Sequence, residues 1–281
     1  MSRVIAIANQ KGGVGKTTTA INLGASLAVA ERKVLIIDID PQGNATSGLG
    51  LKRAEIDTSI YDVLIDGAKI SDVLVREVHF PYLDVAPSSR DLVGAEVELV
   101  GRPQRELVLR GALEGIREEY DFVLVDCPPS LGLLTLNTLA AADTVLIPIQ
   151  CEFYALEGLS QLLNTVRLVQ RNLNPRLQIE GVLLTMYDQR LNLSRQVADE
   201  AKEYFGNRVF RTTIPRNVRL AEAPSFGKPI VVYDAISAGA QSYLSLAREV
   251  IGRSGKPQPD AGGVPQPADA AIVTPAGPAE S

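Results

Sequence analysis

The stretch Gln10-Lys11-Gly12-Gly13-Val14-Gly15-Lys16-Thr17-Thr18 constrains this chain most: it follows the apolar run Val4-Ile5-Ala6-Ile7-Ala8 and leads straight into a helical pattern. Strand, glycine-rich loop and helix in that order let successive backbone N–H groups and a helix N-terminus point at one bound phosphate, since glycine has no Cβ to hold it away. Lys16 then brings charge to the phosphates and Thr17 a hydroxyl for Mg²⁺. A phosphorylated nucleotide is the expected ligand, bound at the carboxyl edge of a parallel sheet.

The remainder of the chain supplies such a sheet. Short β-branched runs at Arg3–Ala8, Lys33–Ile39, Tyr82–Ala86, Phe122–Val125, Thr144–Ile149, Gln178–Leu184 and Arg208–Thr213 read as strands, most of them apolar on both faces. Helical spacing falls at Lys16–Ala30, Gln104–Glu119, Leu133–Ala141, Glu157–Asn172, Leu193–Phe205 and Ala240–Ile251. Strands buried on both sides and joined by helix-length connections predict an α/β fold, a doubly wound, mainly parallel sheet with helices on both faces.

A length of 281 residues suits one large domain. From Ser254 to Ser281, six prolines, six alanines and four glycines fill 16 of 28 positions, a composition that builds no core. The expected division is one nucleotide-binding domain over 1–253 and a disordered tail over 254–281. Met1-Ser2-Arg3 leaves no room for a signal peptide and no later run approaches a membrane span, so a cytoplasmic location is expected. Cys127 and Cys151 lack the paired spacing of a metal site and read as packing residues, and His79 reads as a loop residue beside a strand.

Two strand-end carboxylates sharpen the nucleotide reading. The second strand ends at Asp38-Ile39-Asp40-Pro41-Gln42-Gly43-Asn44 and the fourth at Asp126-Cys127-Pro128-Pro129. Carboxyl ends of parallel strands share an edge, so these acids should converge on the loop after the first strand. Asp126 has the Walker B pattern and is assigned to Mg²⁺ through a water; Asp40 is assigned to orienting the hydrolytic water, with Asp38 the weaker third.

The ordinary motif G-x-x-x-x-G-K-[ST] requires glycine at position 10, where this chain has glutamine. With Lys11 ahead of the glycines, the loop resembles the deviant Walker A form of P-loop NTPase. Ala8–Asn22, Asp38–Gly50, Val125–Ser130 and Ile214–Pro224 together resemble the chromosomal ParA, or Soj, family, over about residues 3 to 251. The resemblance implies ATP and Mg²⁺ as cofactors, with Lys11, Gly12, Gly13, Val14, Gly15, Lys16, Thr17 and Thr18 around the phosphates. It also implies a homodimer in which Lys11 reaches the other subunit's nucleotide, and Met186, Pro215 and Asn217 against the adenine.

In that family an ATP-bound sandwich dimer binds double-stranded DNA without sequence preference, and a ParB-type centromere-binding partner stimulates hydrolysis and release. A nucleoid-associated chromosome-partition ATPase is therefore expected, with no membrane partner. Across Phe205–Ile230 five basic residues stand against one acid, +4 in a chain of −5. The family match implicates Arg190 and Arg219 in DNA contact, then Arg195, Arg216 and Lys228, and the scarcity of aromatics favours duplex backbone over base stacking. The chain departs from the family at Ala235-Ile236-Ser237-Ala238-Gly239, where relatives often carry a basic residue.

Two other readings share the loop. A membrane-positioning ATPase of the MinD type would end in a basic amphipathic helix, against which the prolines and single Lys256 of the tail speak. A metabolic ligase or reductase would need substrate residues or a cluster-binding cysteine pair that the sequence does not offer.

Overall fold

The computed structural model describes residues 2–152 and 159–253. The proline-alanine tail and the first residues of the helix expected from Glu157 lie outside them.

Six strands, Arg3–Ile7 (β1), Val34–Asp38 (β2), Leu83–Ala86 (β3), Phe122–Asp126 (β4), Thr144–Gln150 (β5) and Gln178–Thr185 (β6), form one sheet in the order β3-β2-β4-β1-β5-β6. Every strand pair is parallel. The helices are Lys16–Val29 (α1), Asn44–Gly48 (α2), Ile60–Ile65 (α3), Leu92–Leu99 (α4), Val108–Leu113 (α5) and Leu133–Ala141 (α6). Leu159–Asn172 (α7), Asn192–Phe205 (α8), Val218–Glu222 (α9), Ile230–Tyr233 (α10) and Ala238–Arg253 (α11) complete them.

Side-chain alternation along the strands divides the interior in two. Val4 and Ala6, Leu35 and Ile37, Val123 and Val125, and Val145 and Ile147 pack in one core with α3 to α8. Their neighbours Ile5 and Ile7, Val34 and Ile36, Phe122 and Leu124, and Leu146 pack in the other with α1 and α11. Because both faces are covered, the strands show the near-continuous apolar runs read from the sequence, and the fold is the expected parallel α/β sheet between helical layers.

Two expectations fail. Arg208–Thr213 is not a seventh strand: it follows a 3-10 turn at Gly206–Arg208 and meets β6 through an isolated bridge between Val182 and Val209. Phe210 N and Ile214 N donate to Val182 O and Leu184 O at 2.9 Å, but Thr212 N, the donor between them, turns to the Glu249 carboxylate at 3.1 Å, beside Arg211 N at 3.0 Å, so the ladder is broken. The helix expected over Gln104–Glu119 is only α5 and a 3-10 turn at Arg117–Glu119. Gly111 and Gly115 each cost a helix about 1 kcal/mol relative to alanine, and Gln104 holds a positive φ of 52°.

His79 lies in the loop before β3, as read, and Nε2 contacts both Leu49 O and Gly227 O at 2.9 Å. Beneath it the backbones of Gly50 and Gly227 touch: a Cβ on Gly227 would stand 2.5 Å from Gly50 Cα. Cys127 and Cys151 are buried and unpaired, in keeping with packing roles.

Candidate nucleotide site

The loop after β1 is shaped by its glycines. Gly13 and Gly15 hold φ of 75° and 89°, and Gly15 is the residue from which α1 starts. No side chain caps that helix and its first turn holds no acid, so the N–H groups there are available to an anion. Around Gly12 and Gly13 a Cβ would meet nothing within 4 Å, which leaves the mouth of the loop open.

Neighbouring strands hold the loop in place. The Asn9 amide donates to Pro148 O at 2.7 Å while its oxygen accepts from Lys11 N at 3.0 Å, and the Thr185 hydroxyl at the end of β6 donates to Val14 O at 2.9 Å. Lys16 is buried, with Nζ donating to Lys11 O at 3.1 Å; burial lowers its pKa, opposed chiefly by the charge of Asp126. Lys11 is half-buried and makes no ion pair among the described residues.

The three acids converge as expected. Asp38 and Asp126 are partners in the β2–β4 register, both fully buried, and Asp40 is 5% exposed just beyond. Their roles separate by what they bind. Asp38 accepts from Thr46 N at 2.7 Å and Thr46 Oγ1 at 2.6 Å, so it anchors the first turn of α2; burial outweighs those bonds and pushes its pKa up to about 6. Asp40 accepts from Gln42 N at 2.9 Å.

Asp126 differs from both: its two carboxylate oxygens are buried and no hydrogen bond of regular geometry reaches them among the described residues, the donor beside them being the Thr17 hydroxyl. Burial, then the charge of Asp38, drives its pKa well up, with the Thr17 hydroxyl and Lys16 in opposition. Such an orphan beside a helix N-terminus, a lysine and a threonine hydroxyl is a fitting place for Mg²⁺, which takes one or two carboxylates, waters and phosphate oxygens rather than an all-protein cage.

Other sequence-selected residues fall into two groups. Met186 follows β6 in the left-handed region, φ 51°, a strained state for a side chain of that size. Tyr187 next to it bridges to Pro215, and Tyr187 N donates to Ile214 O at 3.0 Å, so the structure brings Met186 and Pro215 together beside Thr185. Asn217 caps α9, its side chain accepting from Arg219 N at 2.8 Å.

Arg190, Arg195, Arg216, Arg219 and Lys228 are all exposed, and four of them already have local acceptors. Arg190 pairs with Asp188 at 2.7 Å, Arg216 with Glu152 at 3.3 Å, Arg219 with Glu222 at 3.0 Å and Asp234 at 3.6 Å, and Arg195 with the Asn192 side chain. Glu152 and Asp234 come from outside the window counted along the sequence and pair with Arg216 and Arg219 inside it, so the basic character is weaker in space than along the chain. The sequence reading also passed over Asn9, Thr46 and Thr185, which reach the site only through the fold.

A parallel sheet with this loop at its carboxyl edge, a deviant leading lysine and an unpartnered strand-end carboxylate defines a P-loop nucleotide-binding protein of the deviant Walker A kind. The sequence matches the family described as an AAA domain over residues 2–179. It is 59% identical over 250 residues to the sporulation initiation inhibitor protein Soj of Bacillus subtilis, covering 89% of this chain and 98% of that one. It is 58% identical over 253 residues to the chromosome partitioning protein ParA of Myxococcus xanthus, covering 90% and 89%. Among solved structures, cobyrinic acid a,c-diamide synthase from Mycobacterium smegmatis with bound ADP and magnesium is 39% identical, with a TM-score of 0.79 and coverage of 91% and 97%. The chain belongs to the Soj/ParA family of chromosome-partitioning ATPases.

Proposed function

We propose that residues 1–253 form one ATPase domain that binds Mg²⁺ and ATP at the loop after β1 and, as an ATP-bound homodimer, binds double-stranded DNA without sequence preference. The orphaned carboxylate of Asp126 beside Lys16 and Thr17 carries the nucleotide reading. The loop N–H groups and the N-terminus of α1 take the phosphates, with Gly12, Gly13, Val14, Gly15 and Thr18 shaping the cradle. Lys16 neutralises charge within the subunit, and Lys11, free of ion pairs among the described residues, reaches the nucleotide of the other subunit. Thr17 and, through a water, Asp126 would hold Mg²⁺, which when bound would supply positive charge to the nucleotide phosphates. Asp40 orients the attacking water.

Met186, Pro215 and Asn217 receive the adenine, which the contact of the β6 end with the 214–217 segment supports. Lys228, and Arg190, Arg195, Arg216 and Arg219 after exchanging their local acceptors, meet DNA phosphates, and the exchange makes binding weak and salt-sensitive. A ParB-type partner stimulates hydrolysis and release, and the protein works in the cytoplasm on the nucleoid. Among the described residues no helix is long and apolar enough to cross a membrane. The metabolic name of the solved relative comes at 39% identity, below the partitioning relatives at 59% and 58%.

The test is duplex-DNA binding with ATP, ADP or no nucleotide, with light scattering for mass. ATP alone should give a DNA-bound dimer, and Asp40→Ala should trap that dimer without turnover. Equal DNA binding in all three conditions would defeat the proposal.

A further inference from the structure

The loop that carries Asp40 is held by a side chain that lies in none of the nucleotide motifs. Arg53 opens a 3-10 turn, Arg53–Glu55, and its guanidinium reaches back to three main-chain carbonyls. Nη1 donates to Gln42 O at 2.8 Å, and Nη2 donates to Pro41 O at 2.9 Å and Ser89 O at 2.6 Å. The first two acceptors follow Asp40 directly, whereas the third belongs to the loop after β3.

The same two loops are tied again closer to Asp40. The Ser88 hydroxyl donates to Asp40 O at 2.9 Å and Ser88 N donates to Thr46 Oγ1 at 2.9 Å. Gly43 makes the space: at φ 64°, a Cβ there would lie 2.6 to 2.8 Å from Nε, Cδ and Cζ of Arg53. The guanidinium thus lies against the turn, and Arg53 makes no ion pair among the described residues. Its planar fork fits several carbonyls at once, which an ammonium on a flexible stem does not reproduce.

We propose that Arg53 is a positioning residue for hydrolysis, clamping the Pro41–Gly43 turn to the loop after β3 and so fixing the carboxylate of Asp40. This rests on the reading of Asp40 as the residue that orients the attacking water. A group that positions a reacting water tolerates little displacement, and about 1 Å of error costs up to about a hundredfold in rate.

The experiment uses the full chain and compares Arg53→Ala, Arg53→Lys, Gly43→Ala and Asp40→Ala. Turnover is measured at saturating Mg²⁺-ATP, affinity with a fluorescent ATP analogue, and folding by thermal unfolding. Arg53→Ala should lower kcat by on the order of ten- to a hundredfold with ATP affinity within about twofold of wild type. Arg53→Lys should remain slow, and millimolar guanidinium ion should restore turnover to Arg53→Ala. Gly43→Ala should copy the defect, and the double variant Gly43→Ala/Arg53→Ala should be no slower than the slower of the two singles, because both break one clamp.

Wild-type turnover in Arg53→Ala while Asp40→Ala is inactive would overturn the role of Arg53 and leave Asp40 standing. Wild-type turnover in Asp40→Ala would sink the reading of Asp40 and, with it, the clamp as stated. A loss of ATP affinity as large as the loss of kcat would also overturn the proposal, since the turn would then serve binding. If Arg53→Ala unfolds, Arg53→Lys carries the same comparison: normal kcat in that variant would refute the need for the fork.

Discussion

Asp38 gives the nucleotide-free protein a specific dependence on pH. It is fully buried, and its pKa is raised from 3.8 to about 6, chiefly by burial, against the hydrogen bonds of Thr46. A carboxyl whose pKa is higher in the folded state holds its proton more tightly there. Its stabilising effect is therefore complete below the unfolded value, is lost as pH rises through the folded one, and changes little above it. A rise of about two units at about 1.4 kcal/mol per unit corresponds to about 3 kcal/mol. For a domain of this size that is a shift of about 6 to 12 °C in unfolding midpoint. The assay is thermal unfolding of wild type and Asp38→Asn in EDTA without nucleotide, from about pH 4 to 7.5. Asp126 and Asp40 interact electrostatically with Asp38, so the difference between the curves reports the titration of Asp38 together with its effect on those two carboxylates. Wild type should lose about 2 to 3 kcal/mol relative to the variant across that range, most of it below about pH 6. Parallel curves, or a wild type that gains on the variant as pH rises, would refute the reasoning.

Lys16→Ala should weaken ATP binding by on the order of a hundredfold or more, measured by calorimetry, because the loop loses its buried cis charge. Arg219→Ala should weaken ATP-dependent DNA binding equally on two unrelated duplexes and flatten the salt dependence by about one unit of log–log slope for each phosphate it no longer neutralises. An unchanged slope with the dimer intact by light scattering would remove Arg219 from the interface. Gly227→Ala should lower stability by on the order of 1 to 3 kcal/mol in thermal unfolding, since its Cβ would meet the backbone of Gly50 and not a yielding side chain.

The sheet was legible because strands buried on both faces leave continuous apolar runs, and all six observed strands lie within or overlap such runs. Leu133–Ala141 was read to the residue, since its apolar spacing is unbroken. The short helices α2, α3 and α9 escaped: at five or six residues they are too brief to show a period and depend on interactions such as Asp38 with Thr46. Arg208–Thr213 misled because β-branched composition says nothing of where N–H groups point, and here the Glu249 carboxylate on α11 claims two of them. At the site, Lys16, Asp40 and Asp126 were marked by motif and strand end. Asn9, Thr46, Ser88 and Thr185 carry no local signature, since each has a partner from about forty to over a hundred residues away along the chain.

The helix that begins at the nucleotide loop is covered by the last helix described. Thr19 and Tyr243 share a hydrogen bond at 3.2 Å, Leu23 and Leu27 lie in one core with Leu246 and Val250, and Arg3 at the head of β1 donates to Val250 O at 2.8 Å. During synthesis, α1 leaves the ribosome more than two hundred residues before its cover does. Until residues 238–253 emerge, the outer side of α1 faces water, and the loop rests on a helix without its backing. A nascent chain stopped short of α11 should therefore grip nucleotide poorly even though every motif residue has already been made, and its uncovered α1 gives chaperones an apolar stripe to hold.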